Sequence, residues 1–531
     1  MNIKDFFKYT PPKNYNFTLK PSSILKDVFS YSNLNVYPDI LNNLKSIQNI
    51  YRTDINSDIV TRDFFIKLKN NEYKAFIVYI DGMVNANLVN RFILEPLMLQ
   101  NISLKHINYT LENFIYSNLL PQNNLKKEKL FSKIVEGINS GNCVLFVDTI
   151  NVCFNIDIKG FLQRNIDTPR NEVIIDGPQE AFVENIRTNT SLLRRIINNE
   201  NLIIENTSVG FINKTNISIC YMQNIANNNL INEVKYRINN LALDTLFSSG
   251  QLGQLIQENS ILSIPNIMQT ERPDKCAKFL MQGRCIILVN GNPYAIIAPA
   301  VLIDFLSSPE DTNLKPLFAN FLKLLRVLSY AITLLAPGLF VAITGFHHEL
   351  LPTELLFSIL ASREYVPFPL IIELLLMEFS FELIRESGLR VPSPIGGTLG
   401  IVGAIILGDA AVSAHLVSPI LIIVVAITGL SSFAIPDFAF SFHLRVYRFF
   451  FILLGYCAGF IGIGAGLLIY INILCSMRSF GVNYTSPLTH TVGTYSDRYF
   501  IKPIWKNETR QNYILPKKKK SAPHISKRWQ I

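Results

Sequence analysis

The chain has 531 residues and a mass of 60.2 kDa; 49% of the residues are hydrophobic, 17% are charged, and the mean hydropathy is +0.25. A soluble domain carries about a quarter charged residues, so this composition excludes disordered, collagen-like and coiled-coil chains and describes an unusually apolar one. The 49 Lys and Arg against 40 Asp and Glu leave a net +9, which keeps a nucleic-acid surface open until the charges are located. All of the excess falls in residues 477–531, where 11 Lys and Arg meet 2 acids; the preceding 476 residues carry 38 of each sign. The basic character belongs to a tail and not to a folded surface, so no nucleic-acid partner is expected.

Residues 1–30 read as an extension without an apolar signal core. In residues 31–165, Asp63–Leu68 and Ala75–Ile80 read as strands, Asn85–Leu99 and Leu125–Ile138 as helices, and Cys143–Asp148 as a buried strand, a continuous apolar run after Gly141. Residues 166–315 follow suit. A helix is expected over Gln179–Asn198, strands over Leu202–Phe211 and Asn216–Met222, helices over Leu230–Leu241 and Arg272–Gln282, and a closing strand over Cys285–Val289. The closing strands match: Gly141-Asn-Cys-Val-Leu-Phe-Val-Asp against Gly283-Arg-Cys-Ile-Ile-Leu-Val-Asn. The expectation is two α/β subdomains of similar plan, linked near Phe161–Asn171 and hinged.

Signatures of catalysis are missing from this half. There is no phosphate-binding GxxxxGK[ST], no nucleophile elbow, and no His or Cys spacing that fits a metal. Seven scattered Cys argue against a disulfide framework. No enzyme activity, cofactor or metal is expected. Asp176-Gly-Pro-Gln-Glu reads as a turn leading into a helix at Pro178, whose amides could hold an anion.

Of 51 Asn, 47 fall at or before Asn320 and none lies between Phe321 and Ile471. A polar region therefore gives way to an apolar one near residue 320. The apolar block, 316–476, reads as an α-helical transmembrane bundle with about four spans, near 324–346, 395–416, 418–436 and 449–475, each close to the ~20 apolar residues a bilayer requires. Lys315, Lys323 and Arg326 before the first span, and the basic tail 477–531 after the last, place both termini in the cytoplasm. Small residues recur at four-residue spacing: Gly396, Gly400, Ala404 and Gly408, then Gly455 with Gly459 and Gly462 with Gly466. Such faces let helix backbones approach closely in lipid.

Residues 347–394 read as a re-entrant or interfacial segment, broken by Pro352, Pro367, Pro369 and Pro392. Glu349, Glu354, Glu364, Glu373, Glu378 and Glu382 stand there among Leu, Ile and Phe. Glu378, Glu382 and Glu386 share a helix face, with Arg385 three residues from Glu382. A charge at the bilayer centre costs roughly 2.5–3.5 kcal/mol on insertion scales, so these carboxylates need water or partners. They are candidates for lining or gating a cation path, and Asp409, alone in its span, is another; the competing reading is a solvated amphipathic surface helix.

Several segments together resemble one family. They are Asp176, Gly177, Pro178, Gln179 and Glu180 with Asn185, Asn189 and Arg194; Arg272, Pro273 and Asp274; His347 and His348 with Pro352; Arg363 through Pro369; and the run Glu382–Gly397. Over roughly residues 75–480 the chain resembles the A subunits of spore germinant receptors, the GerA family. That resemblance implies a nutrient-sensing complex in the inner membrane of the bacterial endospore, with a transporter-like B subunit and a lipoprotein C subunit as partners. It further implies a homo-oligomeric, cation-conducting A subunit among membrane lipids. A paralogous SpoVAF-like branch shares these motifs, and there the implied role is an accessory scaffold that supports germination without sensing nutrient.

Overall fold

The computed structural model describes residues 17–22, 31–68, 71–99, 110–160, 169, 171–174, 176–258, 263–390, 408–488 and 500–521. Two five-stranded antiparallel sheets precede a helical region. Strands β1 (Ile59–Leu68), β2 (Asn71–Ile80), β3 (Leu125–Glu128), β4 (Cys143–Val147) and β5 (Cys153–Ile156) stand in the order β1-β2-β4-β5-β3. Strands β6 (Leu202–Val209), β7 (Thr215–Met222), β8 (Met268–Thr270), β9 (Cys285–Val289) and β10 (Ala295–Ala298) stand in the order β6-β7-β9-β10-β8. The plan repeats down to the register. Val78 pairs with Val144 and Cys143 with Ile156; displaced by 142 residues, Cys220 pairs with Ile286 and Cys285 with Ala298.

Sequence explains the centre of each sheet. β4 and β9 are buried at every residue, so a continuous apolar run replaces alternation, and each fully buried Ile, Leu or Phe contributes about 1.5–3 kcal/mol. Helices α1 (Ile40–Tyr51) and α2 (Phe131–Asn139) cover one face of the first sheet through Ile47, Tyr51, Phe131 and Ile134. Short helical turns over residues 86–99 and 111–119 cover the other through Val89, Ile93, Phe114 and Ile115. On the second sheet, α3 (Ile186–Ile196) and α6 (Pro273–Gln282) cover one face, while α4 (Asn228–Asn239) and α5 (Ser249–Ile256) cover the other.

Two expected helices are corrected. Leu125–Glu128 is not helical but pairs with β5 at the sheet edge, and α2 begins only at Phe131. The helix expected from Pro178 begins at Ile186, capped by the Asn185 side chain, which accepts from the Arg187 amide at 2.9 Å. Pro178–Phe182 is instead held in an irregular path by tertiary contacts described below.

The two sheets are tied together rather than separated by a free hinge. Ser57 N–H donates to the Ile204 carbonyl at 2.9 Å, and Ile204 N–H donates to the Asn56 side chain at 3.0 Å. Beside them the buried Arg194 guanidinium grips both oxygens of Asp58, each at 2.8 Å. The link expected near 161–171 lies largely outside the described residues.

The helical region comprises α7 (Pro316–Phe346), α8 (Thr353–Arg363), α9 (Leu370–Arg390), α10 (Pro419–Phe433) and α11 (Phe438–Ser476). Against the four spans read from the sequence, two helices among the described residues, α7 and α11, are long and apolar enough to cross a membrane; α10 has 15 residues, and 395–407 lies outside the description. α11 is not one rod. Ala458 and Gly459 leave the helical conformation, Gly459 at φ +56°. His443 lies 3.0 Å from the Tyr470 hydroxyl, although 27 residues of straight helix would separate them by about 40 Å. Residues 438–457 and 460–476 are therefore the antiparallel arms of a helical hairpin.

That hairpin and α7 share a base and a tip. At the base Phe440 stacks on Phe305 and Tyr330 at 5.6 and 5.8 Å between ring centres, which fuses the helical core to the α3–α6 face of the second sheet. At the tip Phe460 stacks on His347 at 4.5 Å. After the hairpin, a small ribbon of β11 (Arg478–Ser479) and β12 (Val482–Asn483) leads the chain back to the second sheet, where residues 500–521 also dock.

Candidate functional site

The helical region buries part of its charge. α9 runs alongside α10 in the same direction: the Ser418 amide donates to Glu373 at 2.6 Å near their starts, and Arg385 donates to the Ser432 hydroxyl at 3.1 Å further along. The first arm of the hairpin brings Arg445 and Arg448 to the acidic face of α9. Arg448 lies 2.8 Å from Glu378 and 3.0 Å from Glu382, and Arg445 lies 2.7 Å from Glu382. Glu378 and Arg448 are wholly buried.

The geometry is incomplete as hydrogen bonding. Among the described residues, neither oxygen of Glu378 meets a donor at hydrogen-bond geometry, nor do Nε and one terminal nitrogen of Arg448 find an acceptor. The pair is held by charge. In so dry a site, loss of one partner of a buried pair costs about 3–5 kcal/mol, because the survivor is left uncompensated. The cluster therefore cannot lose one of its cations cheaply.

The expected partners are partly corrected. Arg385 does not pair with Glu382 but lies over the Phe433 ring at 4.4 Å, because the hairpin arginines already occupy the carboxylate. Glu373 joins Arg363 at 3.4 Å. Glu349, Glu354, Glu364 and Asp409 are exposed and stand apart from the cluster. Arg445 and Arg448 were not singled out in the sequence. Their signal is an i, i+3 pair of cations just before an uncharged stretch, matching three carboxylates at i, i+4 spacing that lack cations enough on their own helix.

Glycines set how closely the helices approach. A Cβ on Gly455 would lie 2.6 Å from the Gly338 carbonyl oxygen, and one on Gly338 would lie 2.7 Å from that of Phe451, so α7 and α11 touch backbone to backbone. A Cβ on Gly462 or Gly466 would strike Leu454 across the hairpin. Gly459 turns the chain. Among the described residues nothing lies within 4 Å of a Cβ built on Gly408; Gly396, Gly400 and Ala404 lie outside the described residues.

Comparison with known proteins settles the relationship. The family described as "Bacillus/Clostridium GerA spore germination protein" matches residues 45–513. The chain belongs to the GerA family. Spore germination protein KA of Bacillus subtilis is 37% identical over 86% of this chain and 84% of that protein. Spore germination protein B1 of the same species is 35% identical over 85% and 92%, and its uncharacterized membrane protein YfkQ is 32% identical over 93% and 94%. The crystal structure of the N-terminal domain of the A subunit of the Bacillus megaterium spore germinant receptor GerK3 aligns at 28% identity over 50% of this chain and 97% of that one, with a TM-score of 0.37.

The motif residues of this GerA-family chain do structural work. Arg272 donates to the carbonyls of Glu172 and Pro178 at 3.1 and 2.8 Å and pairs with Asp274 at 2.9 Å, fastening the loop before α3 to the start of α6, where Pro273 takes the first helical position. Asn189 closes a ring with Val183, donating at 2.6 Å and accepting at 2.8 Å. Gln179 donates to the Ile174 carbonyl at 2.8 Å, Asp176 accepts from Asn313 at 2.7 Å through its carbonyl, and Glu180 pairs with Arg195. Gly177 sits at φ +141° with no room for a Cβ beside Ile174 and Asn313. These contacts stand where a turn and helix start were expected at Pro178. His347 accepts from the Phe460 amide at 3.4 Å, His348 is exposed, Pro352 precedes α8, and Arg363 meets Glu373.

Proposed function

We propose that this spore germination protein is the A-type subunit of a nutrient-responsive germinant receptor, a non-enzymatic membrane protein that passes monovalent cations when its complex is triggered. In this reading it lies in the inner membrane of the endospore as a homo-oligomer beside a transporter-like B subunit and a lipoprotein C subunit. Both chain ends face the cytoplasm. Supporting that topology, the base of α7 and the C-terminal segment meet at one end of the helical region, where Asn320 and Ile501 exchange two hydrogen bonds at 3.1 and 2.6 Å. Apolar side chains point outward along α7 and α11, among them Leu324, Leu328, Phe450, Leu453 and Leu468, as lipid or a second copy requires.

The observation that carries the conducting role is the buried cluster of Glu378, Glu382, Arg445 and Arg448. Arginine holds the carboxylates in the resting state; when the hairpin arm shifts, a permeating cation takes the place of Arg448. Cation release from liposomes holding the assembled complex tests this. Germinant-triggered flux is expected from the native complex and is lost with Glu378→Gln, while Glu354→Gln on the exposed side of α8 leaves it intact. If the native complex passes no cations and the genes beside this one encode no B and C subunits, the accessory-scaffold reading replaces it.

A further inference from the structure

We propose that a second site, at the junction of the second sheet, the base of α7 and the C-terminal segment, binds a phosphate-bearing anion. A cavity of about 480 Å³ lies there, walled by Lys278 of α6, Lys323 of α7, and Lys502 and Arg510 of the C-terminal segment, with Asp304 and Asp311 beside them. This volume is within the roughly 300–1,000 Å³ that small-molecule sites occupy.

The charges in the wall do not cancel. Asp304 is gripped by Arg284 at 2.5 and 2.9 Å, and Asp311 by Arg326 at 2.7 and 2.8 Å; both carboxylates also attract Lys278 and Lys323 from farther off without pairing with them. Arg510 directs its donors to the carbonyls of Met281 and Lys518, at 2.7 and 3.1 Å, and of Lys520, which satisfies hydrogen bonds without neutralising charge. Among the described residues, Lys278 and Lys323 pair with no carboxylate. Lys278 opens to the cavity yet is closely walled by protein, and that desolvation holds its ammonium below the usual lysine range. Four cations wall this partly enclosed cavity against two carboxylates, and an anion with several acceptor oxygens can accept from their ammonium and guanidinium groups.

The place narrows the ligand. Just past Lys323, α7 exposes Leu324, Leu325 and Leu328, and Phe500, Ile504 and Trp505 are exposed on the C-terminal side. A phosphate group at this height is either the headgroup of an anionic lipid or free phosphate from the aqueous side. The site shares no residue with the buried glutamate–arginine cluster, so the proposal stands whether or not the chain conducts cations.

Full-length protein in nanodiscs provides the test. In phosphatidylcholine nanodiscs, inorganic phosphate is titrated while the melting temperature is followed; in a second series the lipid is phosphatidylglycerol and no phosphate is added. A rise with phosphate assigns the site to the free anion, and a rise with phosphatidylglycerol alone assigns it to the headgroup. Lys278→Gln with Lys323→Gln is expected to weaken the binding tenfold or more, about 1.4 kcal/mol, whereas Lys278→Arg with Lys323→Arg retains it. The proposal is overturned if the native chain responds to neither probe, or if the double Gln variant responds as strongly as the native chain.

Discussion

The two sheets share strand order and register, and they differ in what lies against them. The first is closed on both faces by its own helices and turns. The second also has its own helices on both faces, but the core beneath α3 and α6 runs without a break into Phe440, Leu444 and Tyr470 of the hairpin, and the opposite face takes Phe480, Val482 and Ile514 from the chain that follows it. The position following the glycine at the end of α2 and α6 shows the divergence in one residue. Among the described residues, Asn142 makes one side-chain bond there, to Asn155 at 2.8 Å. Arg284, wholly buried, holds Asp304, the Pro299 carbonyl at 2.9 Å, and Gln511 and Tyr513 of the C-terminal segment at 3.0 and 3.2 Å. A repeated framework has thus been turned to a new duty by changing the group at a strand entrance.

Making the second repeat like the first is the strongest way to break that contrast. Arg284→Asn leaves Asp304 buried without its cation and is expected to cost about 3–5 kcal/mol, read as a lowered denaturant midpoint of the purified chain. The C-terminal segment should become open to protease in the same variant. Asn142→Ala, the matched change in the first repeat, removes a single hydrogen bond and should cost about 1 kcal/mol. Equal effects would mean that the two entrances do the same work.

Much of the repeat was legible because burial on both faces writes itself as an uninterrupted apolar run, as in β4 and β9. Edge strands do not. Leu125-Lys-Lys-Glu128 has the composition of a helix surface and becomes β3 only because β5 offers a partner. Pro178 resembles a helix start, yet Arg272, nearly a hundred residues on, claims its carbonyl and the helix waits until Asn185. The hairpin was hidden for another reason. Hydropathy is the same on both sides of Ala458–Gly459, so composition reports one long apolar stretch and is silent about its reversal. Acidic spacing on α9 was plain, whereas its cations come from a helix some sixty residues away, and local sequence says nothing of such pairing.

A smaller change sharpens the comparison by acting on the helical side alone. Gly455→Ala places a methyl group against the Gly338 carbonyl, where neither backbone can yield, and overpacking of this kind costs about 1–3 kcal/mol. Because the helical core is continuous with the α3–α6 face, hydrogen exchange should quicken in α6 and β9 and leave β4 protected. Gly408→Ala, where a Cβ would meet none of the described residues, should alter stability by about 0.5 kcal/mol at most. Faster exchange in β4 would show that the first sheet is not insulated from the helices.

The smallest effect concerns the tail, which docks on the second repeat and feels a charge of the first. Lys517 donates to the Gln223 carbonyl at 2.7 Å on the second repeat, and its ammonium is lowered to about 8, first by burial and then by repulsion from Arg52, which follows α1 in the first repeat. An unfolded lysine titrates near 10.4. Between those values the docked tail binds fewer protons than the undocked one, so docking strengthens as pH rises from about 8 to about 10.4 and is weakest below that window. Hydrogen exchange in residues 500–521 should slow across this range, and Lys517→Met should flatten the response. Arg52→Ala removes the repulsion, brings the docked ammonium closer to its ordinary value and narrows the window. An unchanged profile in Arg52→Ala would mean that the tail senses the second repeat alone, making the division between the two sheets sharper still.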